Sequence, residues 1–114
     1  MKEDQIYLDH ILACISRIES YVQNGHDSFF SSTLIQDAVL RNLHILAESS
    51  QRISPEIKSS HPEVDWSGMS GFRNILVHGY LGINLDRVWE AVDRDLPELK
   101  LQIENILREI QDES

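Results

Sequence analysis

Apolar residues recur every three or four positions along most of this chain, the spacing that places them on one face of an α-helix. The pattern predicts a first helix over residues 4–23. The apolar face of this helix consists of Leu8, Ile11, Leu12, Ile15, Ile18 and Val22. Asn24 and Gly25 both tolerate the left-handed conformation that closes a helix, so they mark its end.

A second helix is predicted between Asp27 or Ser28, which are candidate N-caps, and about Ile53. Its apolar residues form a broad stripe that suits a buried helix, namely Phe30, Leu34, Ile35, Ala38, Val39, Leu43, Ile45 and Leu46. Ser54 followed by Pro55 resembles a cap with proline in the first turn, so a short helical piece is expected there.

The pair His61-Pro62 predicts the next break, because a residue before proline avoids the helical region. Asp65 is the candidate cap of a further helix that ends near Gly79. The apolar residues of this helix are Trp66, Met69, Phe72, Ile75 and Leu76.

The last segment begins at the candidate cap Asn84 and keeps the helical spacing almost without error. Its apolar residues are Leu85, Trp89, Val92, Leu96, Leu99, Ile103, Ile106 and Ile110. Pro97 interrupts this pattern, and Asp95 could act as a new cap. The segment is therefore either one kinked helix or two helices laid end to end.

The predicted fold is an all-α antiparallel bundle of four to five helices in one domain that covers residues 1–114. No stretch alternates with the period of two that marks a strand, and no hairpin signal is visible. A core of this size is limited, so dimerisation would add stability.

Composition is that of an ordinary globular protein, with 41% hydrophobic and 25% charged residues. The single cysteine, Cys14, rules out an internal disulfide and fits a reducing compartment. The first residues do not show the basic region and apolar run of a signal peptide. No apolar stretch approaches the roughly 18 residues that cross a bilayer. We therefore expect a cytoplasmic protein without a membrane segment.

The net charge of −9 argues against simple nucleic-acid binding, because affinity for a phosphate backbone comes mainly from lysine and arginine. The chain has only ten such residues, and they form no run. Any nuclease function must therefore use a local basic site, or depend on a second protomer or a partner that changes the electrostatic field around the site.

Polar residues that could support chemistry are concentrated between positions 71 and 80. Asn74 and His78 are four apart and share a helix face, Arg73 adjoins Asn74, and Tyr80 follows two residues after His78. A histidine can serve as base or acid near neutral pH, and an arginine fork matches phosphate oxygens. Together they could form a phosphodiesterase centre that needs no metal or cofactor.

From spacing alone, a structural role is the more common explanation of the same residues. A histidine in the last turn before a glycine is a common helix C-cap, favoured by the helix dipole. An arginine one turn earlier could simply pair with one of the 19 acidic residues.

Residues 61–107 resemble the HepT-like branch of the HEPN superfamily, and the similarity extends upstream through residues 37–43 and Ala47-Glu48. The motif of that branch is an arginine, four to six residues, then a histidine, commonly followed by one residue and a tyrosine. In this chain it is matched by Arg73, His78 and Tyr80, with Asn74 as the polar residue after the arginine.

The resemblance implies a helical bundle that dimerises so that two such motifs meet in one cleft. It implies a toxin that cleaves RNA, often tRNA, without metal and leaves a cyclic phosphate. His78 would act as general base or acid, Arg73 would hold the phosphate, and Asn74 would orient the substrate or His78. It further implies a minimal nucleotidyltransferase antitoxin that silences the toxin by transferring AMP to Tyr80.

Other residues carry weaker signals. Arg41 lies seven residues before Glu48 on the second predicted helix, where it could form an ion pair or line the cleft. The resemblance favours the cleft. Trp66 and Trp89 fall on apolar stripes, which favours packing, and the histidines show no spacing that suggests a metal site.

Two other functions remain open from the sequence. A non-catalytic helical subunit that binds a nucleotidyltransferase would suit the acidic charge. A plain dimerisation bundle is also possible, but it leaves the clustered residues of the motif unexplained.

Overall fold

The computed structural model describes residues 2–77 and 83–113, with side chains described for residues 3–72 and 83–112. The helices are α1 Lys2–Tyr21, α2 His26–Ser31, α3 Thr33–Gln51, α4 Pro55–Ser60, α5 Trp66–Val77, α6 Leu85–Glu90 and α7 Leu96–Glu113. A π-helical segment, Ala91–Asp95, joins α6 to α7. The described residues include no strand. The predicted all-α helical bundle is confirmed.

The core lies where α1, α3, α5 and α7 meet. Helix α3 packs against both α1 and α5, and α7 packs against α1. The predicted apolar face of α1 is buried as expected, with Leu8, Ile11, Ile15 and Ile18 no more than 1% exposed. Burial of such a face stabilises the fold by about 1.5–3 kcal/mol for each large side chain. None of the described helices is long and apolar enough to span a membrane.

Ser32 divides the predicted second helix into α2 and α3, so the single helix expected there was wrong. The backbone of Ser32 is extended, and its hydroxyl accepts a hydrogen bond from the Ile35 N–H at 3.2 Å. The Gln36 amide donates to the carbonyl oxygens of Phe29 and Phe30 at the end of α2, at 2.9 and 3.2 Å. These bonds satisfy a backbone N–H at the start of α3 and carbonyl oxygens at the end of α2, which would otherwise lack partners within a helix, so the break is stable. It also lets Phe29 turn into the core.

The region around Pro97 is one continuous helical run with a π-helical turn before the proline. Within this turn the Leu96 N–H reaches the Ala91 carbonyl, five residues back. Proline supplies no N–H and its ring crowds the preceding turn, and a wider turn accommodates both effects. Asp95 lies inside the π-helical segment and is not a cap, so of the two alternatives left open by the sequence, the restart at this residue was wrong.

Asp4 connects the beginning of α1 to the beginning of α4. Its carboxylate accepts hydrogen bonds from the backbone N–H and from the hydroxyl of Ser54, each at 2.8 Å. Ser54 in turn caps α4 by accepting a bond from the Ile57 N–H, with Pro55 in the first turn as predicted. Asp4 is only 3% exposed, so the Ser54 groups depend on it rather than on water.

We predict that Asp4→Ala lowers the free energy of unfolding by about 1–3 kcal/mol, because two part-buried donors lose a charged acceptor. Asp4→Asn keeps one amide oxygen and should lose less. Glu3→Ala is the matched control, since this neighbouring acid is exposed and should change stability by less than about 0.5 kcal/mol. Urea unfolding followed by circular dichroism measures all three; equal losses for Asp4→Ala and Glu3→Ala would contradict the prediction.

Candidate active site

Helix α5 carries the first part of the motif, and Asp65 fixes where it begins. The Asp65 carboxylate accepts hydrogen bonds from the Gly68 N–H at 2.9 Å and from the Ser67 hydroxyl at 3.1 Å. The bond from Gly68 satisfies a backbone N–H that the first turn of a helix leaves without a partner. The predicted cap at Asp65 is confirmed.

The loop before α5 is held against α7 by His61. Its Nδ1 lies 2.8 Å from a carboxylate oxygen of Glu63, and its Nε2 lies 2.9 Å from one of Glu109 on α7. The hydrogen bond with His61 lowers the pKa of Glu63. Trp66 adds a bond from its indole N–H to the His61 carbonyl at 3.0 Å. Sequence reasoning treated His61 only as a turn residue, because its partner in α7 is distant in the chain.

The inner face of α5 is set by burial of Met69 and Phe72, which are 3% and 7% exposed. Arg73 and Asn74 follow Phe72 directly in the same helix, so their backbone position is fixed by the packing of α5 against α3. The side chains of Arg73 and Asn74 lie outside the described residues, as do His78 and Tyr80 entirely. The convergence of these four side chains stays a prediction.

Arg41 is exposed on α3, the helix that packs against α5. The ion pair with Glu48 that the spacing allowed is absent from the described part of the chain, where His44 lies 3.9 Å from the Glu48 carboxylate. Arg41 is therefore open to solvent on a helix adjacent to the one that carries the motif.

Other chemistries find little support among the described residues. The Cys14 thiol is 1% exposed, and burial raises its pKa against the opposing charge and hydrogen bond of Arg17. A buried, protonated thiol is a poor nucleophile. Among the side chains of residues 3–72 and 83–112, no three histidine, cysteine or acidic groups come together in a way that could hold a metal ion. Trp66 and Trp89 are partly buried against the core, as predicted from their apolar stripes.

The described part of the chain is an all-helical bundle, and the Arg-X4-His sequence begins at Arg73 on its core helix α5. The model of the family described as "Ribonuclease HepT-like" matches residues 11–106. The chain belongs to this family, and membership supports a ribonuclease function.

Individual relatives agree with this assignment. A protein named "Probable ribonuclease HepT" from Thermococcus cleftensis is 34% identical over 101 residues, covering 88% of this chain and 92% of the relative. A "Putative RNase" of Methanocaldococcus jannaschii is 37% identical over 104 residues, covering 90% and 95%. A second protein of that organism, "Gamma-glutamylcyclotransferase and putative RNase", is 36% identical over 110 residues. The match covers 96% of this chain but only 50% of that longer protein. No solved structure matches the chain.

Gly68 and Gly71 of α5 differ in the space that a side chain would have. A Cβ at Gly71 would meet nothing within 4 Å, whereas one at Gly68 would lie 2.3 Å from the Asp65 carboxylate. We therefore predict that Gly71→Ala raises the free energy of unfolding by about 0.5–1 kcal/mol, the helix preference of alanine over glycine. Gly68→Ala should gain less or lose stability, because Asp65 must move and the cap is weakened.

A double-mutant cycle tests this explanation by urea unfolding. In an Asp65→Ala background, where no cap can be displaced, Gly68→Ala should become about as stabilising as Gly71→Ala. If Gly68→Ala and Gly71→Ala behave alike in the wild-type background, the cap is not what requires glycine at position 68.

Proposed function

We propose that this protein is a metal-independent endoribonuclease that acts on RNA, in particular tRNA, as the toxin of a toxin–antitoxin pair. The observation that carries the proposal is the Arg73-X4-His78-X-Tyr80 sequence, which begins on a helix held in the core of a HepT-like bundle. Family membership supports RNA cleavage. The substrate, the reaction path and the biological role are part of the proposal.

The proposed reaction is an internal phosphoryl transfer. His78 takes the proton from a ribose 2′-hydroxyl, whose oxygen then attacks the adjacent phosphorus. The bond from phosphorus to the 5′-oxygen breaks, and that oxygen receives a proton from an acid, which leaves a 2′,3′-cyclic phosphate and a free 5′-hydroxyl. Arg73 would hold the phosphate oxygens and stabilise the charge that develops on them. Asn74 would orient the substrate or His78.

Dimerisation would answer the electrostatic objection to RNA binding. One chain carries a net charge of −9, so its overall field repels RNA phosphates. The arginine and histidine of a single motif would have to overcome that repulsion. Two chains that meet at their motifs would place two arginines and two histidines in one cleft between the protomers. Arg41 would then add a further cation at the side of that cleft, because α3 and α5 are neighbours and Arg41 is exposed.

Control by a minimal nucleotidyltransferase through AMP transfer to Tyr80 completes the proposal. An adenylate two residues from His78 would add bulk and negative charge beside the catalytic centre. RNA phosphates would be excluded by both effects. The competing function is a non-catalytic subunit of a nucleotidyltransferase complex, which the acidic charge favours.

We predict that the wild-type protein, expressed alone, cleaves tRNA in excess EDTA, and that Arg73→Ala and His78→Ala each reduce the rate by at least about 100-fold. Arg108→Ala is the matched control, because Arg108 is exposed on α7 and outside the motif. Gel analysis of the products should show 3′ ends that resist phosphatase until mild acid opens the cyclic phosphate.

Circular dichroism of each variant separates loss of catalysis from loss of fold. Cleavage that survives His78→Ala would disprove the assigned role, and cleavage abolished by EDTA would disprove metal independence. A folded wild-type protein that leaves all RNA intact would favour the binding subunit.

We also predict that co-expression with a minimal nucleotidyltransferase adds the mass of one AMP moiety to the protein. The chain has three tyrosines, at positions 7, 21 and 80, which allows the site to be mapped. The added mass should persist in Tyr7→Phe and Tyr21→Phe and disappear in Tyr80→Phe. Intact-protein mass spectrometry gives the answer, and an adduct retained in Tyr80→Phe would place the modification elsewhere.

A further inference from the structure

A groove of about 210 Å³ runs between α5 and the helical run formed by α6, the π-helical segment and α7. Its apolar lining comes from core side chains on both sides, Met69, Phe72, Leu96 and Leu99. Its polar lining among the described residues includes the carboxylates of Glu63, Asp65, Asp95 and Glu98 and the guanidinium of Arg87. The groove therefore combines an apolar base with an acidic rim.

The rim remains negative after its internal contacts are taken into account. Glu63 is bonded to His61, and Asp65 caps α5, so both are held in place by their partners. Asp95 lies 3.8 Å from Arg87, a long contact between two exposed groups that contributes little. Glu98 has no hydrogen-bond or ion-pair partner among residues 3–72 and 83–112. Among the described lining residues, four carboxylates thus accompany one cation, and at least one of these carboxylates is not neutralised.

The size and lining of the groove restrict what could occupy it. Pockets for drug-sized molecules usually measure roughly 300–1,000 Å³, so this groove fits something smaller. The described carboxylates disfavour an RNA phosphate, because it would bring another negative charge to the rim. The complementary group has an aliphatic stem to cover the apolar base and a cationic end to meet the carboxylates. Lysine and arginine side chains have this structure.

We propose that this groove is a docking site for a lysine or arginine side chain of a protein partner. The charge complementarity of the rim and the room for one long side chain carry the inference, which does not depend on the proposed ribonuclease activity. Phe72 at the base immediately precedes Arg73 in α5. A partner bound here would therefore contact the helix that carries the motif, on a surface that RNA phosphates avoid.

The test is a titration of the ¹⁵N-labelled full chain with the peptide acetyl-Leu-Lys-Leu-amide, followed by NMR. The same peptide with Nε-acetylated lysine has a similar shape without the charge. We expect saturable shifts of amides that line the groove, such as those of Gly68, Glu98 and Leu99, and binding of the acetylated peptide at least about fivefold weaker.

Matched variants tie the binding to the rim. Asp95→Asn with Glu98→Gln should weaken binding of the lysine peptide by about five- to tenfold, since two carboxylate contacts are lost. Glu104→Gln, also on α7 but outside the groove, removes one charge and should change binding by less than about twofold. Glu98→Gln alone, at an exposed residue, serves if the double variant is not folded.

Three results would overturn the proposal. They are the absence of saturable shifts with the lysine peptide, equal binding of the acetylated peptide, and equal weakening by Glu104→Gln. Spermidine provides a separate arm, because a free polyamine has the same charge and stem chemistry. Binding of spermidine at the same rim more tightly than the peptide would assign the groove to a small cation and not to a protein side chain.

Discussion

Helix α3 is the element on which the other helices depend, because it buries side chains against α1 and α5 at the same time. Val39, Leu43, Leu46 and Ala47 are at most 3% exposed, so both flanks of this helix are occupied by neighbours. Close packing transmits small displacements, and a change in α3 would move α5 with it. The proposed catalytic motif begins on α5, so the backbone position of its first residues, Arg73 and Asn74, follows from this packing.

Most of the fold could be predicted from the sequence because its helices are amphipathic and their ends carry clear polar caps. Asp65, Ser54 and Asn84 were each read from residue type and position, and each side chain accepts a backbone N–H in the structure. Ser32 was missed, although it caps α3 in the same way. It lies within a stretch whose apolar spacing continues on both sides, so the periodicity concealed the break.

The π-helical turn before Pro97 could not be predicted for a different reason. A proline in a helical pattern allows a kink, a restart or a widened turn, and local preference does not choose among them. Here the apolar residues before and after the proline, Leu96 and Leu99, are 2% and 7% exposed and must stay in the core together. Tertiary packing therefore selects the solution that keeps the run continuous.

In the candidate site, too, the features set by neighbouring residues could be predicted from the sequence, whereas contacts between distant residues could not. Sequence placed Arg73 and Asn74 on a helix, which the backbone of α5 confirms, whereas the contacts of His61 with Glu63 and Glu109 had no local signal. Glu109 is almost fifty residues from His61 in the chain. Only the folded bundle brings them together, and this contact anchors the loop that leads into α5.

Charge is the constraint that links the two proposed surfaces. A chain with a net charge of −9 can approach RNA only where its acidic residues are turned away from the phosphates. The groove shows one place where they are concentrated, between α5 and α7, with four carboxylates in its lining. Arg41 is exposed instead on α3, the helix that packs against α5. Interactions between exposed charges weaken beyond about 10 Å at ordinary salt, so the sign of the local charge at each surface matters more than the net charge of the chain.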